Sequence, residues 1–219
     1  MLSQSIEDYL KAIYEVETSE GKVSTSALSE KLGVSPASVT SMMKKLSEKK
    51  LITHKRYQGV KLTPAGRKIA LEIIRHHRLI ELYLKEALGV PWDQVHQEAE
   101  KWEHVLSEDL EDRIDKFLGY PVTDPHGSPI PRRDGTMIVR ECDALVDVEP
   151  DTLVRVVEVS DHDPELLRYL GGIGLYPETE MTVVSKQPFK GPIIVELTGK
   201  EYPIGRNAAK YILVEKANN

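Results

Sequence analysis

The sequence predicts a mainly α-helical chain with a C-terminal β domain, and it places a winged helix-turn-helix at the start. Apolar residues recur at every third or fourth position up to about residue 120, which is the period of an amphipathic helix. Only Pro36 and Pro64 lie in the first 90 residues, although the chain has 13 prolines. Short β-rich runs separated by glycine and proline follow in the C-terminal third.

The first three predicted helices form a helix-turn-helix. The first covers residues 5–17, and the second covers 24–32 and opens at Ser24, a good N-cap residue. Gly33 then permits a tight turn because glycine tolerates a positive φ. The third helix starts with Ser35 as its cap and Pro36 in its first turn, where a missing N–H costs nothing. Two helices joined by a short glycine-containing turn are typical of this motif.

The remaining elements complete the predicted architecture. Two strand-like runs flank Gln58-Gly59 and predict a small hairpin, so the motif becomes a winged helix. Long helices are predicted from 64 to about 87 and from 92 to 118. Strands are predicted at 153–159, 181–186, 193–197 and 211–214. Several short strands in so few residues favour a small antiparallel barrel.

Charge and composition narrow the possible partners. The net charge of −6 divides into +5 for residues 1–70 and −11 for the remainder, which indicates an anionic partner for the N-terminal part only. No apolar run reaches the length of a membrane span and the N-terminus lacks a signal-like segment, so we expect a cytoplasmic protein with no membrane partner. The single cysteine, Cys142, excludes an internal disulfide and a Cys-rich zinc module.

The second helix of the motif is predicted to enter the major groove of DNA. Its first residues are small and hydroxylated, and nine basic residues lie between positions 44 and 68. The candidate base-contacting residues are Ser35, Pro36, Ala37, Ser38, Thr40 and Ser41, and the candidate phosphate-contacting residues are Lys44, Lys45, Lys55 and Arg56. One module reaches few phosphates, so a homodimer on a palindromic operator is expected. The alternative is a winged helix that contacts protein.

Histidines and carboxylates recur on two of the predicted helices. His96, Glu100, Glu103 and His104 share one face of the 92–118 helix, and His77 and Glu81 are i, i+4 neighbours on the preceding helix. A short connection makes these helices antiparallel, which favours a metal site over a surface of charge pairs. A di-iron enzyme would need Glu-x-x-His on two helices, and a zinc protease would need His-Glu-x-x-His. Neither pattern is present, so an enzyme is not expected.

Five segments together resemble the diphtheria-toxin-repressor family of metal-dependent transcriptional regulators, and most closely its manganese-responsive three-domain branch. They are residues 5–10 (SIEDYL), 34–46, 75–79 (RHHRL), 98–107 (EAEKWEHVLS) and 124–131 (DPHGSPIP). The resemblance covers essentially the whole chain. It implies a winged-helix DNA-binding domain at 1–72, a helical metal-binding and dimerisation domain at 73–142, and an SH3-like domain at 150–219.

The resemblance also implies two metal sites. The primary site would consist of Asp8, His77, Glu100, Glu103 and His104. The second site would consist of Glu81, His96, Asp124, His126 and Asp161, with His162 as a further candidate. Two-domain manganese regulators have a glutamate where this chain has Lys11. Two separated sites are therefore expected instead of a closely spaced two-ion cluster.

The ligand types favour manganese. Iron-sensing relatives carry Met and Cys at the positions of Asp8 and Glu100, whereas hard oxygen ligands suit Mn²⁺. We therefore expect a homodimeric repressor of manganese uptake genes with Mn²⁺ as co-repressor, Co²⁺, Ni²⁺, Zn²⁺ or Cd²⁺ as surrogates in vitro, and no small organic substrate. The first alternative is a repressor of the same family that senses Fe²⁺. A metal-free, ligand-responsive winged-helix regulator and a metal-dependent enzyme are the others.

Overall fold

The computed structural model describes residues 2–55, 59–138 and 140–217. Two compact units are present. The first contains the residues up to His77 together with Glu103–Leu106 and Pro131–Thr136, and the second contains Arg78–Trp102, Ser107–Ile130 and the residues from Met137 onward. Each unit is described by itself.

The first unit contains the predicted winged helix. Its elements are α1 (Gln4–Glu20), α2 (Thr25–Leu32), α3 (Pro36–Glu48), β1 (Ile52–Lys55) and β2 (Gly59–Leu62). The two strands pair antiparallel with Ile52 opposite Leu62. Val39, Met43 and Leu46 are buried on the inner face of α3, and this burial holds the helix-turn-helix together.

The predicted caps determine where α2 and α3 begin. The Ser24 hydroxyl accepts a hydrogen bond from the N–H of Ala27 at 3.0 Å, and the Ser35 hydroxyl accepts one from Ser38 at 3.2 Å. Each bond satisfies one of the N–H groups that a helix start leaves without a partner. Gly33 ends α2 in the left-handed region with a φ of 63°. These local interactions explain why the sequence pattern predicted both helices well.

A long helix, α4 (Pro64–Leu88), follows the wing, and the division between the two units falls within it, after His77. Its first turn packs closely against the chain that follows α3. A side chain at Gly66 would place its Cβ 2.0 Å from the carbonyl oxygen of Leu51. Only glycine allows this close approach, so Gly66 sets where α4 starts against the winged helix.

The single helix predicted over 92–118 is wrong. The structure has two shorter helices, α5 (Val95–Trp102) and α6 (Glu108–Phe117). The hydroxyl of Ser107 accepts a hydrogen bond from the N–H of Leu110 at 3.3 Å and starts the second helix. Periodicity continues across the interruption, which is why the sequence pattern did not reveal it.

The second unit ends in a six-stranded antiparallel sheet with two short helices. Its elements are β3 (Asp143–Ala144), β4 (Thr152–Val159), α7 (Pro164–Gly172), β5 (Glu180–Lys186), β6 (Ile193–Leu197), β7 (Lys200–Ile204), α8 (Arg206–Ala209) and β8 (Ile212–Lys216). The strand order is β3-β8-β4-β5-β6-β7. This confirms the predicted C-terminal β domain and its four predicted strands.

Several features of this domain were not predicted, among them the short elements β3 and α8. The edge strand β7 was missed because Pro203 interrupts its pattern, and proline is tolerated at a sheet edge. Helix α7 was missed as well, although Asp163 caps it and Pro164 begins it. Trp92, which precedes α5, is buried in the same hydrophobic core as the sheet. No helix in the described parts of the chain is long and apolar enough to cross a membrane.

Candidate metal centre

The first unit contains a cluster formed by Asp8, Glu103 and His104, whose potential ligand atoms lie within 4.8 Å of one another. Asp8 lies on α1, and the other two follow the end of α5. Nε2 of His104 is 2.8 Å from Oδ1 of Asp8 and 3.4 Å from Oε1 of Glu103. Two carboxylates and one imidazole nitrogen therefore converge on one point.

The other nitrogen of His104 is also engaged. Its Nδ1 lies 2.8 Å from Oε2 of Glu7, the residue before Asp8 on α1. Metal-binding histidines usually donate their second ring N–H to a carboxylate or carbonyl, which orients the ligating nitrogen. Glu7 can take this part, since it leaves Nε2 directed at Asp8 and Glu103. Glu7 was not among the predicted site residues, because its only signal in the sequence is its position beside a predicted ligand.

His77 and Lys11 complete the surroundings of Glu103. The carboxylate of Glu103 contacts Nδ1 of His77, and the ammonium of Lys11 donates to both of its oxygens, at 2.8 and 3.0 Å. Glu103 is buried, with a side-chain exposure of 2 %. Burial works against its ionisation, but the hydrogen bond from His77 and the charge of Lys11 outweigh it and hold its pKa below the usual value.

Asp8 has a different environment from Glu103. Its side chain is 38 % exposed. Its pKa is raised, because partial burial together with the charge of Glu103 outweighs the favourable contact with His104. Two carboxylates that disfavour each other's charge are a common arrangement where a cation binds.

Glu100 was predicted as a further ligand of the primary site and as part of one helix face with His96, Glu103 and His104. It lies on α5 in the second unit, where its carboxylate is 59 % exposed and 3.6 Å from Nε2 of His96. The helix ends at Trp102, so Glu103 and His104 follow it in the chain and are not on the same helix as Glu100. The expectation that His96, Glu100, Glu103 and His104 share one face is therefore corrected.

The second unit brings together the residues predicted for the second site. Nδ1 of His96 lies 3.0 Å from Oδ2 of Asp161 and 3.3 Å from Oε1 of Glu81. Glu81, Asp124 and His126 form an adjoining buried group with ligand atoms within 4.8 Å of one another. Glu81 belongs to both groups, which therefore form one cluster of three carboxylates and two imidazoles. His162 lies beside it, with its Nδ1 3.2 Å from Asp161, but its side chain is 62 % exposed.

A tight loop presents His126 to this cluster. Oδ1 of Asp124 accepts hydrogen bonds from the N–H groups of His126 and Ser128, at 2.8 and 3.0 Å. Gly127 has a φ of 92°, and a Cβ there would lie 1.9 Å from the carbonyl oxygen of Val157 on β4. The loop is therefore seated directly on the backbone of the sheet domain.

The ring of His126 is oriented as a metal ligand would be. Its Nε2 lies 2.7 Å from the carbonyl oxygen of Trp92, to which it can donate. Its Nδ1 is buried, has no hydrogen-bond partner within the described residues, and faces Oε2 of Glu81 at 3.8 Å. A carbonyl on one nitrogen and an unused, buried second nitrogen fit a bound cation. The donor set of this chain is thus compatible with a metal ion at this point.

The charges in the second cluster also favour a bound cation. Burial disfavours the imidazolium of His126, yet the adjacent Glu81 raises its pKa to about 9. Burial also lowers the pKa of His96, but the hydrogen bonds and charges of Asp161 and Glu81 outweigh it and raise that pKa to about 10. Burial and the charge of Glu81 raise the pKa of Asp124 to about 7. Protons thus balance the carboxylates when no cation does, and a divalent cation would displace them.

The predicted DNA-contacting residues of α3 lie together on its exposed side. They are Ser35, Pro36, Ala37, Ser38, Thr40, Ser41, Lys44 and Lys45. The hydroxyl of Thr40 donates to the carbonyl of Pro36 at 2.9 Å. Lys55 lies at the end of β1, where only its backbone is described, and Arg56 lies outside the described residues.

Models of three domain families match consecutive parts of the chain. Residues 1–60 match the N-terminal DNA-binding domain of the iron-dependent repressors, and residues 63–132 match their metal-binding and dimerisation domain. Residues 144–216 match the FeoA domain. The three matches follow the order of the helical and β parts described above.

Individual relatives support the same assignment over nearly the whole chain. The iron-dependent repressor IdeR of Mycobacterium tuberculosis (strain ATCC 25618 / H37Rv) is 31 % identical, and the alignment covers 98 % of each protein. A solved manganese-dependent transcriptional repressor in complex with manganese is 38 % identical with a TM-score of 0.91, covering 97 % of this chain and 100 % of the other. The structure of the manganese regulator SloR is 34 % identical with a TM-score of 0.79, covering 97 % and 98 %. The chain therefore belongs to the diphtheria-toxin-repressor family of metal-dependent, DNA-binding transcriptional repressors.

Proposed function

We propose that this protein represses transcription of manganese uptake genes when Mn²⁺ is bound. The observation that carries the choice of metal is the donor set of Asp8, Glu103 and His104, which offers oxygen and imidazole nitrogen and no sulfur. Mn²⁺ favours such hard ligands, whereas thiolate and thioether ligands favour softer ions. Iron is the second candidate, because the relatives named iron-dependent repressors align over the full chain.

The first cluster would hold the activating ion. Asp8, Glu103 and His104 would supply ligands directly, with Glu7 orienting the imidazole of His104. His77 contacts Glu103, so it would either bind the ion itself or support the carboxylate of Glu103. Glu100, which the resemblance implies as a further ligand, stays a prediction. The bound ion would supply positive charge that ties two carboxylates and one imidazole together.

This arrangement suggests how the ion acts on DNA binding. Asp8 lies on α1 of the winged helix, and Glu103 and His104 lie on the turn that follows α5. Without a cation, the two carboxylates repel each other across a partly buried space. A cation held by Asp8, Glu103 and His104 would offset this repulsion and hold α1 against the turn, which would order the winged helix.

The second cluster would hold a second, separate ion. Glu81, His96, Asp161 and the buried ring of His126 surround it, and Asp124 organises the loop that carries His126. The ligands would come from helices α4 and α5, from the 124–128 loop and from the segment after β4, so an ion here would fasten these parts of the second unit together. We propose a stabilising part for this ion.

DNA recognition would use the exposed side of α3. Small hydroxylated residues at its N-terminal end would lie against base edges, and Lys44 and Lys45 would contact phosphates. Contacts of this kind read thymine methyl groups and groove shape more than guanine edges. A homodimer would then place two such helices on the half-sites of a palindromic operator.

Fluorescence anisotropy with a duplex from the region upstream of the protein's own gene tests this function. The protein is first freed of metal with a chelator, and Mn²⁺ or Fe²⁺ is then added without oxygen. We expect tight binding only with Mn²⁺ and loss of the metal response in Asp8→Ala. Glu15→Ala is the matched control, since Glu15 lies on the same helix but pairs with Lys31 at 2.8 Å. Equal activation by both ions would remove manganese as the specific signal, and binding that ignores metal would overturn the mechanism.

A further inference from the structure

Lys11 is a positive charge placed inside the first metal cluster. Its Nζ lies 2.8 Å and 3.0 Å from the two oxygens of Glu103 and 3.2 Å from Nδ1 of His77. The side chains of Lys11 and Glu103 are 14 % and 2 % exposed, so water screens this pair weakly. Lys11 follows Asp8 by three residues on α1, and both side chains face the same cluster.

Both oxygens of Glu103 are thus occupied by an ammonium group. A divalent cation that binds Glu103 must displace Lys11 from at least one of its oxygens, or else bind beside the Lys11 ammonium and be repelled by its charge. Nδ1 of His77 is engaged as well, because it contacts the same carboxylate, and a nitrogen that donates to Glu103 has no lone pair for a cation. Lys11 therefore competes with an entering cation for the oxygens of Glu103.

We propose that Lys11 acts as a built-in competitor of the metal ion: its ammonium neutralises Glu103 in the metal-free protein and thereby lowers the affinity of the first site for divalent cations. This inference rests on the proposed function, because it assumes that the Asp8, Glu103 and His104 cluster binds the activating ion. It makes Lys11 a residue that sets the ion concentration at which the repressor responds. Lys11 is not itself a ligand, since an ammonium group has no lone pair to offer.

The competition makes Lys11 act with opposite signs in the two states. In the metal-free protein the ammonium compensates a buried carboxylate, so its removal leaves His77 as the remaining described contact that favours the Glu103 charge, and the fold is destabilised. In the metal-bound protein it repels the cation, so its removal strengthens metal binding. If Lys11 had only a structural role, its removal would destabilise the metal-free protein but would not strengthen metal binding.

Equilibrium Mn²⁺ binding to the full-length protein tests the inference, with electron paramagnetic resonance used to count free aqueous Mn²⁺. The variants are Lys11→Gln, which keeps a donor without the charge, and Lys11→Arg, which keeps the charge. Lys31→Gln is the matched control, because Lys31 pairs with Glu15 at 2.8 Å away from the cluster. The thermal melting midpoint of each chelator-treated variant is recorded beside the binding curve.

We expect Lys11→Gln to bind Mn²⁺ roughly tenfold more tightly while its metal-free form melts at a lower temperature. Lys11→Arg should stay within about threefold of the wild type in affinity, since the repelling charge is kept. If Asp8→Ala weakens Mn²⁺ binding but Lys11→Gln binds Mn²⁺ no more tightly than the wild type, the inference about Lys11 is overturned and the proposed first site stands. If Asp8→Ala binds Mn²⁺ as tightly as the wild type, the first site itself is wrong and the inference falls with it.

Discussion

Replacement of Gly127 by alanine should dismantle the second cluster without touching any of its proposed ligands. The backbone of Gly127 has a φ of 92°, and an added Cβ would meet the carbonyl oxygen of Val157 at 1.9 Å and the Cα of Glu158 at 3.0 Å. Both of these are backbone atoms, which cannot rotate away. The 124–128 loop must then lift off the sheet by about 1 Å or more, and a metal site does not tolerate such a displacement.

The cost of this substitution can be worked out from the contacts it breaks. The unfavourable backbone conformation costs about 1–2 kcal/mol once a Cβ is present. Lifting the loop also breaks the hydrogen bond from the N–H of Val159 to the carbonyl of His126, now 2.9 Å, and strains the contact from His126 to Trp92. Each lost hydrogen bond adds about 1 kcal/mol, so the free energy of unfolding should fall by about 3 kcal/mol.

Urea denaturation of the metal-free protein measures this loss, and isothermal titration with Mn²⁺ counts the ions bound. Gly127→Ala should unfold at a lower urea concentration and bind one ion fewer per chain. Gly172→Ala is the matched control, because its Cβ meets nothing within 4 Å at the end of α7. If Gly127→Ala unfolds like the wild type and binds the same number of ions, the close approach of this loop to Val157 is not what presents His126.

Two further predictions concern protons and orientation. Glu7→Ala should weaken Mn²⁺ binding at the first site about tenfold, because Nδ1 of His104 loses its partner. Glu15→Ala is the control and should bind Mn²⁺ like the wild type. Equal Mn²⁺ affinities of Glu7→Ala and the wild type in isothermal titration would refute this prediction. At the second site His96 and His126 have pKa values raised to about 10 and about 9, so Mn²⁺ must displace protons there and its affinity should rise with pH between 6 and 9. In the metal-free protein, the contribution of protonated His96 to stability is complete below its unfolded pKa of about 6.5 and is lost as pH rises through about 10. A second-site affinity that does not change between pH 6 and 9 would contradict the protonated state of these residues.

The helical N-terminal part could be predicted because its signals are local. The caps at Ser24 and Ser35, the turn at Gly33 and the buried face of α3 each depend on residues only a few positions apart. Such short-range interactions can be predicted from the types and spacing of neighbouring residues. The strands of the C-terminal domain were predicted for the same reason, except at the edge, where Pro203 is tolerated and the pattern weakens.

The composition of the metal sites was accessible from the sequence only in part. His77, Glu81 and His96 stand out because histidine and acid types recur at helical spacing. The continuing periodicity hid the end of α5 at Trp102, so the sequence pattern placed Glu103 and His104 on a helix that ends before them. Glu7 had no signal beyond its position next to Asp8.

The sequence by itself determined the candidate residues for binding DNA and metal, and the helix-turn-helix that carries the candidate DNA contacts. The tertiary structure alone decided which of these residues meet. Lys11 contacts Glu103 across 92 positions of the chain, and Gly127 reaches Val157 only because the loop docks on β4. Such contacts depend on how whole elements pack, and no short-range pattern encodes a distance between residues so far apart in sequence.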